Sequence, residues 1–181
     1  MRRTLTLHPG SRCAAATGVE AEAVRLRPGV LDLRFVVIGR IGGLLVPPAA
    51  ASGRADGLWR HTCFEAFLRA APDGGYYEFN LSPSTRWQAY RFDGYRTGMR
   101  AADGIAAPRI DVQLDGASLI LRATLELDGV PGLPAGAVWS VGLAAVLEEA
   151  DGGLSYWALA HPPGRPDFHH SDCFALELPP A

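Results

Sequence analysis

Apolar and polar residues alternate one by one in many short stretches of this chain, and glycine, proline or an Asp-Gly pair separates one such stretch from the next. Period two is the strand period, because successive side chains on a strand point to opposite faces, whereas a helix needs apolar positions three and four apart. Helical spacing is poor throughout. Eleven short strands are therefore predicted, at 4–8, 19–27, 30–38, 62–70, 76–81, 86–92, 109–114, 118–127, 138–148, 154–159 and 173–178. The 21 glycines and 14 prolines supply the turns between them. Many short strands with little helix bury their apolar faces by packing sheet on sheet, so the chain is predicted to be all-β: one antiparallel, jelly-roll-like β-sandwich domain over residues 1–181. A chain of 181 residues buries roughly 70% of its unfolded surface, enough for a core without staples. The stretch 46–57, rich in Ala, Gly and Pro, reads as a long connection between strands.

Charge excludes several functions. All 17 basic residues are arginines, against 19 acidic ones, and they are scattered. No basic stripe is present for nucleic acid. Without lysine there is no Schiff-base chemistry, no phosphate loop of the Walker type and no kinase of the usual kind. No apolar run reaches the ~18 residues of a membrane span, and Arg2 and Arg3 precede no apolar stretch of the ~7–15 residues expected of an export signal. Cys13, Cys63 and Cys173 are odd in number, widely spaced and in no CxxC motif. A reduced, cytoplasmic chain is expected.

The middle of the chain allows a register to be proposed. If Asp73-Gly74 is a two-residue hairpin turn, Arg69 faces Glu78, Phe67 faces Asn80 and Glu65 faces Ser82. Phe64, Ala66 and Leu68 then share an apolar face with Tyr77, Phe79 and Leu81, and the other face carries Cys63, Glu65, Phe67 and Arg69 beside Tyr76, Glu78 and Asn80. A second turn at Ser82-Pro83-Ser84-Thr85 puts Trp87 beside Asn80.

The stretches Leu58-Trp59-Arg60-His61-Thr62-Cys63-Phe64-Glu65-Ala66-Phe67-Leu68 and Tyr77-Glu78-Phe79-Asn80-Leu81-Ser82-Pro83-Ser84 resemble the DOMON-like domains, relatives of the family-9 carbohydrate-binding modules. The resemblance extends to Ser155-Tyr156-Trp157-Ala158-Leu159, to His161-Pro162, to Pro166-Asp167-Phe168-His169-His170 and to Asp172-Cys173-Phe174, and the opening Leu7-His8-Pro9 fits too. The closer match is a bacterial group of single-domain members. The resemblance implies a β-sandwich. Its better-known relatives bind sugars or haem, usually outside the cell, and the missing export signal departs from that pattern.

Candidate chemistry can be weighed residue by residue. In the proposed register Glu78 lies four residues from the position opposite Glu65, about 13–14 Å between Cα atoms. Glycoside hydrolysis needs carboxyl groups about 5–9.5 Å apart, so this pair is expected not to be catalytic. The face it occupies reads better as a ligand surface: Glu65 and Asn80 for hydroxyl groups, Trp87 as a stacking platform, Arg91 as a further hydroxyl contact, His169 and His170 at the rim. Glu148 and Glu149 read as a strand end, and Trp59, Trp139 and Trp157 as core. The segment 161–172 is the densest chemical cluster, holding His161, Asp167, His169, His170 and Asp172 among three prolines and a glycine. It reads as a structural loop whose histidines bond backbone carbonyls, with His61 near enough in sequence to a strand start to approach it. His161, His169 and Asp172 supply zinc-type donors, but no template fixes their spacing, and no metal is predicted. No Gly-x-Ser-x-Gly elbow is present. Haem, which the resemblance raises, would need Met99 to face one of these histidines across an apolar slot, and the small and polar residues after Met99 argue against one; no cofactor is predicted. The expected function is therefore a non-catalytic domain for a saccharide or polyol-bearing small molecule. The alternatives are a metal-assisted hydrolase using the 161–170 loop and a protein-interaction or scaffold domain.

Overall fold

The computed structural model describes residues 2–71 and 74–181. The alternating runs form β1 (Arg2–Leu7), β2 (Ala16–Arg27), β3 (Val30–Gly39), β5 (Cys63–Arg69), β6 (Tyr76–Leu81), β7 (Arg86–Phe92), β9 (Arg109–Leu114), β10 (Ser118–Glu126), β11 (Trp139–Glu148), β12 (Leu154–Ala158) and β13 (Leu176–Leu178). Two short strands had no sequence signal, β4 (Gly53–Arg54) and β8 (Arg100–Ala101). The described residues contain no α-helix, only three single-turn 3₁₀ segments.

The strands hydrogen-bond in the order β4-β7-β6-β5-β11-β12-β1-β2-β3-β10-β9, with β13 also on β11 and β8 on β7. The ribbon turns a corner within β1: residues 2–5 pair with β2, while Thr6 and Leu7 pair with β12. The two leaves on either side of that corner face each other across the core. Phe35 of β3 meets Phe64 of β5 with ring centroids 5.0 Å apart, and Leu33, Leu121, Phe79, Leu143 and Trp139 are sealed in the same cluster. Each such side chain contributes about 1.5–3 kcal/mol by leaving water.

One pairing departs from the antiparallel expectation. β4 runs parallel to β7, with Gly53 beside Arg86 and Arg54 beside Trp87. The 46–57 connection lies along the outside of β7, where Ala50 N–H donates to Ser84 O at 2.9 Å and Ala55 N–H donates to Trp87 O at 3.0 Å. It thereby covers backbone groups that an open sheet edge would leave unpaired.

The predicted faces of the β5–β6 hairpin hold, but the register differs by two residues. Glu65 is opposite Asn80, Phe67 is opposite Glu78, and Leu68 with Tyr77 is the last pair before the turn. Leu68 pairs with Tyr77 where the proposed register would pair it with Phe79, so the connection after Leu68 is two residues shorter than proposed; Pro72 and Asp73 themselves lie outside the described residues. A two-residue slip preserves which side chains share a face, so Phe64, Leu68, Tyr77 and Phe79 are buried together as expected. It changes every neighbour across the hairpin. Arg69 does not meet Glu78; its guanidinium lies 4.2 Å from the centre of the Phe174 ring.

The β6–β7 turn needs a correction too. Ser82 N–H donates to Arg86 O at 2.9 Å, so Pro83, Ser84 and Thr85 form a three-residue loop and Leu81 faces Trp87. Trp87 and Arg91 are thus on the core-facing side of β7, by the alternation of the strand. Gln88, Tyr90 and Phe92 take the outer side.

Candidate functional site

The outer face of the β7-β6-β5-β11-β12 leaf does not meet water directly. It carries a second buried cluster in which Phe67, Tyr76, Tyr90, Phe92 and Val146 pack against Phe168 and Phe174. Three loops make the cover: the 55–62 stretch, the 93–99 turn and the long 159–175 segment. Gly142 explains how the last of these comes so close. A Cβ there would stand 3.0 Å from the Cys173 carbonyl oxygen and 3.4 Å from Phe67 Cβ, so the loop backbone rests where any other residue would hold a side chain.

Between sheet and loops lies a cavity of about 320 Å³. Glu65 and Glu78 form its floor, Trp59, Phe92, Tyr156 and Phe168 its aromatic walls, and Arg96 and His169 its polar rim. In the observed register Glu78 is two residues from Asn80, the partner of Glu65. The two glutamates are diagonal neighbours, and such pairs have Cα atoms roughly 7–8 Å apart, not the 13–14 Å of the proposed register. Distance therefore no longer excludes carboxylate-pair chemistry.

Each polar group at the floor has a distinct environment. Asn80 is fully buried beneath the cavity and donates Nδ2–H to Glu78 Oε1 at 2.6 Å. Glu65 is only 3% exposed, and among the described residues its carboxyl makes no hydrogen bond. Burial, and then the neighbouring Glu78, hold the Glu65 pKa well above the ordinary carboxyl value, with Arg96 pulling the other way. Burial also raises Glu78, opposed by the Asn80 hydrogen bond and Arg96.

The rim is a connected network. The backbone N–H of Arg96 donates to Tyr76 Oη at 3.2 Å, and that hydroxyl lies 2.8 Å from His169 Nδ1. These bonds are satisfied when the hydroxyl donates to Nδ1, which leaves the His169 proton on Nε2, 3.7 Å from Glu78 Oε2. Burial, and secondarily Arg96, depress the His169 pKa to about 4, while burial pushes the Tyr76 phenol up to about 12. The Arg96 guanidinium donates Nε–H and Nη2–H to Asp167 Oδ1 at 3.1 and 2.8 Å, and Tyr95 Oη also donates to Asp167. On the opposite wall, Asp56 accepts from Tyr90 Oη at 2.8 Å and from Gln88 Nε2 at 3.0 Å. This ties down the chain that presents Trp59, whose ring meets Tyr90 edge-on at 5.7 Å.

Of the residues expected in a ligand site, the cavity brings together Glu65 and His169, with Asn80 supporting Glu78 from below. Trp87 and Arg91 are elsewhere. Trp87 is in the main core, with the Arg54 guanidinium 4.4 Å from its ring centre, and Arg91 lies over Tyr77 at 4.9 Å. His170 turns away from the cavity; its Nδ1 accepts from Asp172 N–H at 3.3 Å as a turn cap. His61 does not approach the 161–172 loop, because it bonds Glu148 at 2.8 Å. His161 meets the expectation of a carbonyl partner, Thr6 O at 2.8 Å. Among the described residues no three His, Cys, Asp or Glu side chains gather as a metal centre. Met99 and His169 do line the same cavity, but the His169 nitrogens are turned to Tyr76 and Glu78, so the residues present do not fit an axial Met/His pair for haem.

Trp59, Phe92, Arg96, Tyr156 and Phe168 line the cavity without having been singled out for a site in the sequence. Phe92 and Tyr156 had a signal, since each alternates onto the outer face of its strand. Trp59, Arg96 and Phe168 sit on loops, and nothing in strand periodicity reports where loops fold.

No protein-family model matches the chain, and no curated protein matches it in sequence. Solved structures do match in shape. A candidate carbohydrate-binding protein from Bacteroides uniformis aligns with a TM-score of 0.70 at 16% identity, covering 98% of this chain and 85% of that one. A family-9 carbohydrate-binding module from Caldicellulosiruptor kristjanssonii, in complex with glucose, aligns at 0.53 with 10% identity over 98% of this chain and 84% of that one. The same kind of module in complex with cellotriose aligns at 0.54 with 10% identity, over 97% and 80%. At these identities the likeness is one of architecture: the chain has the all-β fold seen in family-9 carbohydrate-binding modules.

Proposed function

We propose that this chain is a non-catalytic saccharide-binding domain and that the cavity over Glu65 is its site. The observation that carries the reading is a small pocket with aromatic walls whose floor holds a buried carboxyl group with no hydrogen-bond partner among the described residues. Sugars suit such a site because their faces of C–H groups rest on aromatic rings while their hydroxyls satisfy polar groups that would otherwise be orphaned. The shared fold with modules crystallised on glucose and cellotriose supports the same reading. So does the resemblance of the 58–68 and 77–84 segments to DOMON-like domains, among whose single-domain members we place the chain.

Titration calorimetry with a panel of mono- and oligosaccharides tests this, with intrinsic fluorescence as a second readout. Trp59 is the one tryptophan lining the cavity; Trp87, Trp139 and Trp157 belong to the main core. A bound sugar is expected to change the Trp59 emission, and Trp59→Ala is expected to weaken binding at least tenfold, about 1.4 kcal/mol. No saccharide binding at millimolar concentration, or binding indifferent to Trp59→Ala, overturns the proposal. Release of chromophore from aryl glycosides would replace it with a hydrolase.

A further inference from the structure

Acidic groups outnumber cationic ones around the cavity, and the sense of that mismatch specifies the ligand, provided that the saccharide reading above is right. Three carboxyl groups, Glu65, Glu78 and Asp167, surround a single guanidinium, that of Arg96. That guanidinium is already committed, two of its N–H groups going to Asp167. His169 supplies no second cation, since it is buried beside Arg96 and bonded to Tyr76 in its neutral form. Asn80 covers one oxygen of Glu78, and the carboxyl of Glu65, which lines the cavity, has no hydrogen-bond partner among the described residues.

A buried carboxylate without a partner is strongly unfavourable, and a hydrogen-bonded cation is the group that relieves it best. The walls point the same way. Trp59, Phe92, Tyr156 and Phe168 line the cavity, and aromatic rings attract positive charge to their faces through their quadrupole. A sugar hydroxyl would give Glu65 a hydrogen bond but would not offset the burial that disfavours its ionised form. An N-acetyl group would bring a neutral amide. A primary ammonium brings three N–H donors and the missing charge.

We infer that the cavity is built for a saccharide carrying a protonated amine, the ammonium seated over Glu65 and Glu78 and the sugar ring held by the aromatic walls. The chemical class is a free amino sugar, or an oligosaccharide with an unacetylated amino group.

The experiment compares matched pairs on the full chain by calorimetry at neutral pH: glucose with glucosamine, galactose with galactosamine, mannose with mannosamine, each with its N-acetyl form, and ethanolamine as an amine that is not a sugar. At least one amino sugar is expected to bind ten times or more tightly than both its hydroxyl and its N-acetyl counterparts. Glu65→Gln, which keeps the size and removes the charge, is expected to bring that ratio to within about twofold. Glu78→Gln serves the same purpose should the first variant fail to fold. Hydroxyl sugars bound as well as or better than amino sugars would overturn this inference and leave the saccharide reading standing. Ethanolamine bound without any sugar would keep the ammonium seat and remove the saccharide. Binding of none of the probes would end both.

Discussion

His169 shows how much a single residue decides at the rim. Its imidazole is held neutral because burial penalises the charged form and Arg96 lies close by, so its pKa is about 4 in place of 6.5. A depressed folded-state pKa means that the unfolded chain takes up the proton first. The stability this gives is complete above about 6.5 and is lost as pH falls toward 4. Glu65 and Glu78 act in the opposite sense, since their raised values favour the folded state as acid is added. His169→Gln keeps a partner for Tyr76 and removes the titration. Relative to the unmodified chain it is expected to gain stability between pH 7 and pH 4, by on the order of 3 kcal/mol at most; urea unfolding at both pH values gives the difference directly, and a constant difference would refute the assignment. Thr85 is a second case. It closes the β6–β7 loop with φ at 71°, a conformation that glycine adopts freely and a β-branched residue does not. Its hydroxyl compensates by donating to Ala50 O at 2.8 Å. Thr85→Ala and Thr85→Gly lose the same bond, but only glycine relieves the backbone, so the glycine variant is expected to be the more stable of the two by roughly 0.5–1 kcal/mol. Thermal unfolding of the pair checks it.

At the scale of elements, the site depends on how one loop sits on one strand. Gly142 of β11 leaves room for the Cys173 backbone, and the 159–175 segment brings Phe168 and His169 over the floor from there. Gly142→Val is expected to push the segment outward, cost about 1–3 kcal/mol in stability, expose residues 161–172 to limited proteolysis and weaken sugar binding. Unchanged proteolysis would show that the loop is held without this seat. The same division between strand and loop explains what could be read in advance. Alternation told which side chains of β5 and β6 share a face, because that face follows from parity alone. It did not tell the register, because register depends on turn length, and a turn two residues shorter leaves every face unchanged. Trp87 was misplaced for the related reason that a three-residue turn at Pro83–Thr85 shifts parity across the hairpin. Arg96 and Phe168 were illegible because their positions come from loop docking, which needs the third dimension.

For the whole molecule, the leaf that carries the site is also the leaf that closes the fold. Its inner face completes the main core and its outer face holds the second cluster, so its central strands are buried on both sides. This accounts for β5 and β6 being almost wholly inaccessible, glutamates included. It also explains why alternation alone could mark a polar face on β5 and β6 without showing that the face is buried: alternation separates two sides without saying whether water reaches the second.

The corner in β1 has a consequence for how the chain is made. Thr6 and Leu7 find their partners at Ala158 and Trp157, so the first strand cannot complete its pairing until about 150 further residues have left the ribosome. Contacts so far apart in sequence are slow to form, because a long loop must close before they repay it. The leaf of β2, β3, β9 and β10 joins segments nearer to one another and can assemble earlier, waiting with an open edge. Closure of the pocket then waits for the 154–175 segment, and a nascent chain stalled before residue 154 would carry the floor of the site without the means to hold it shut.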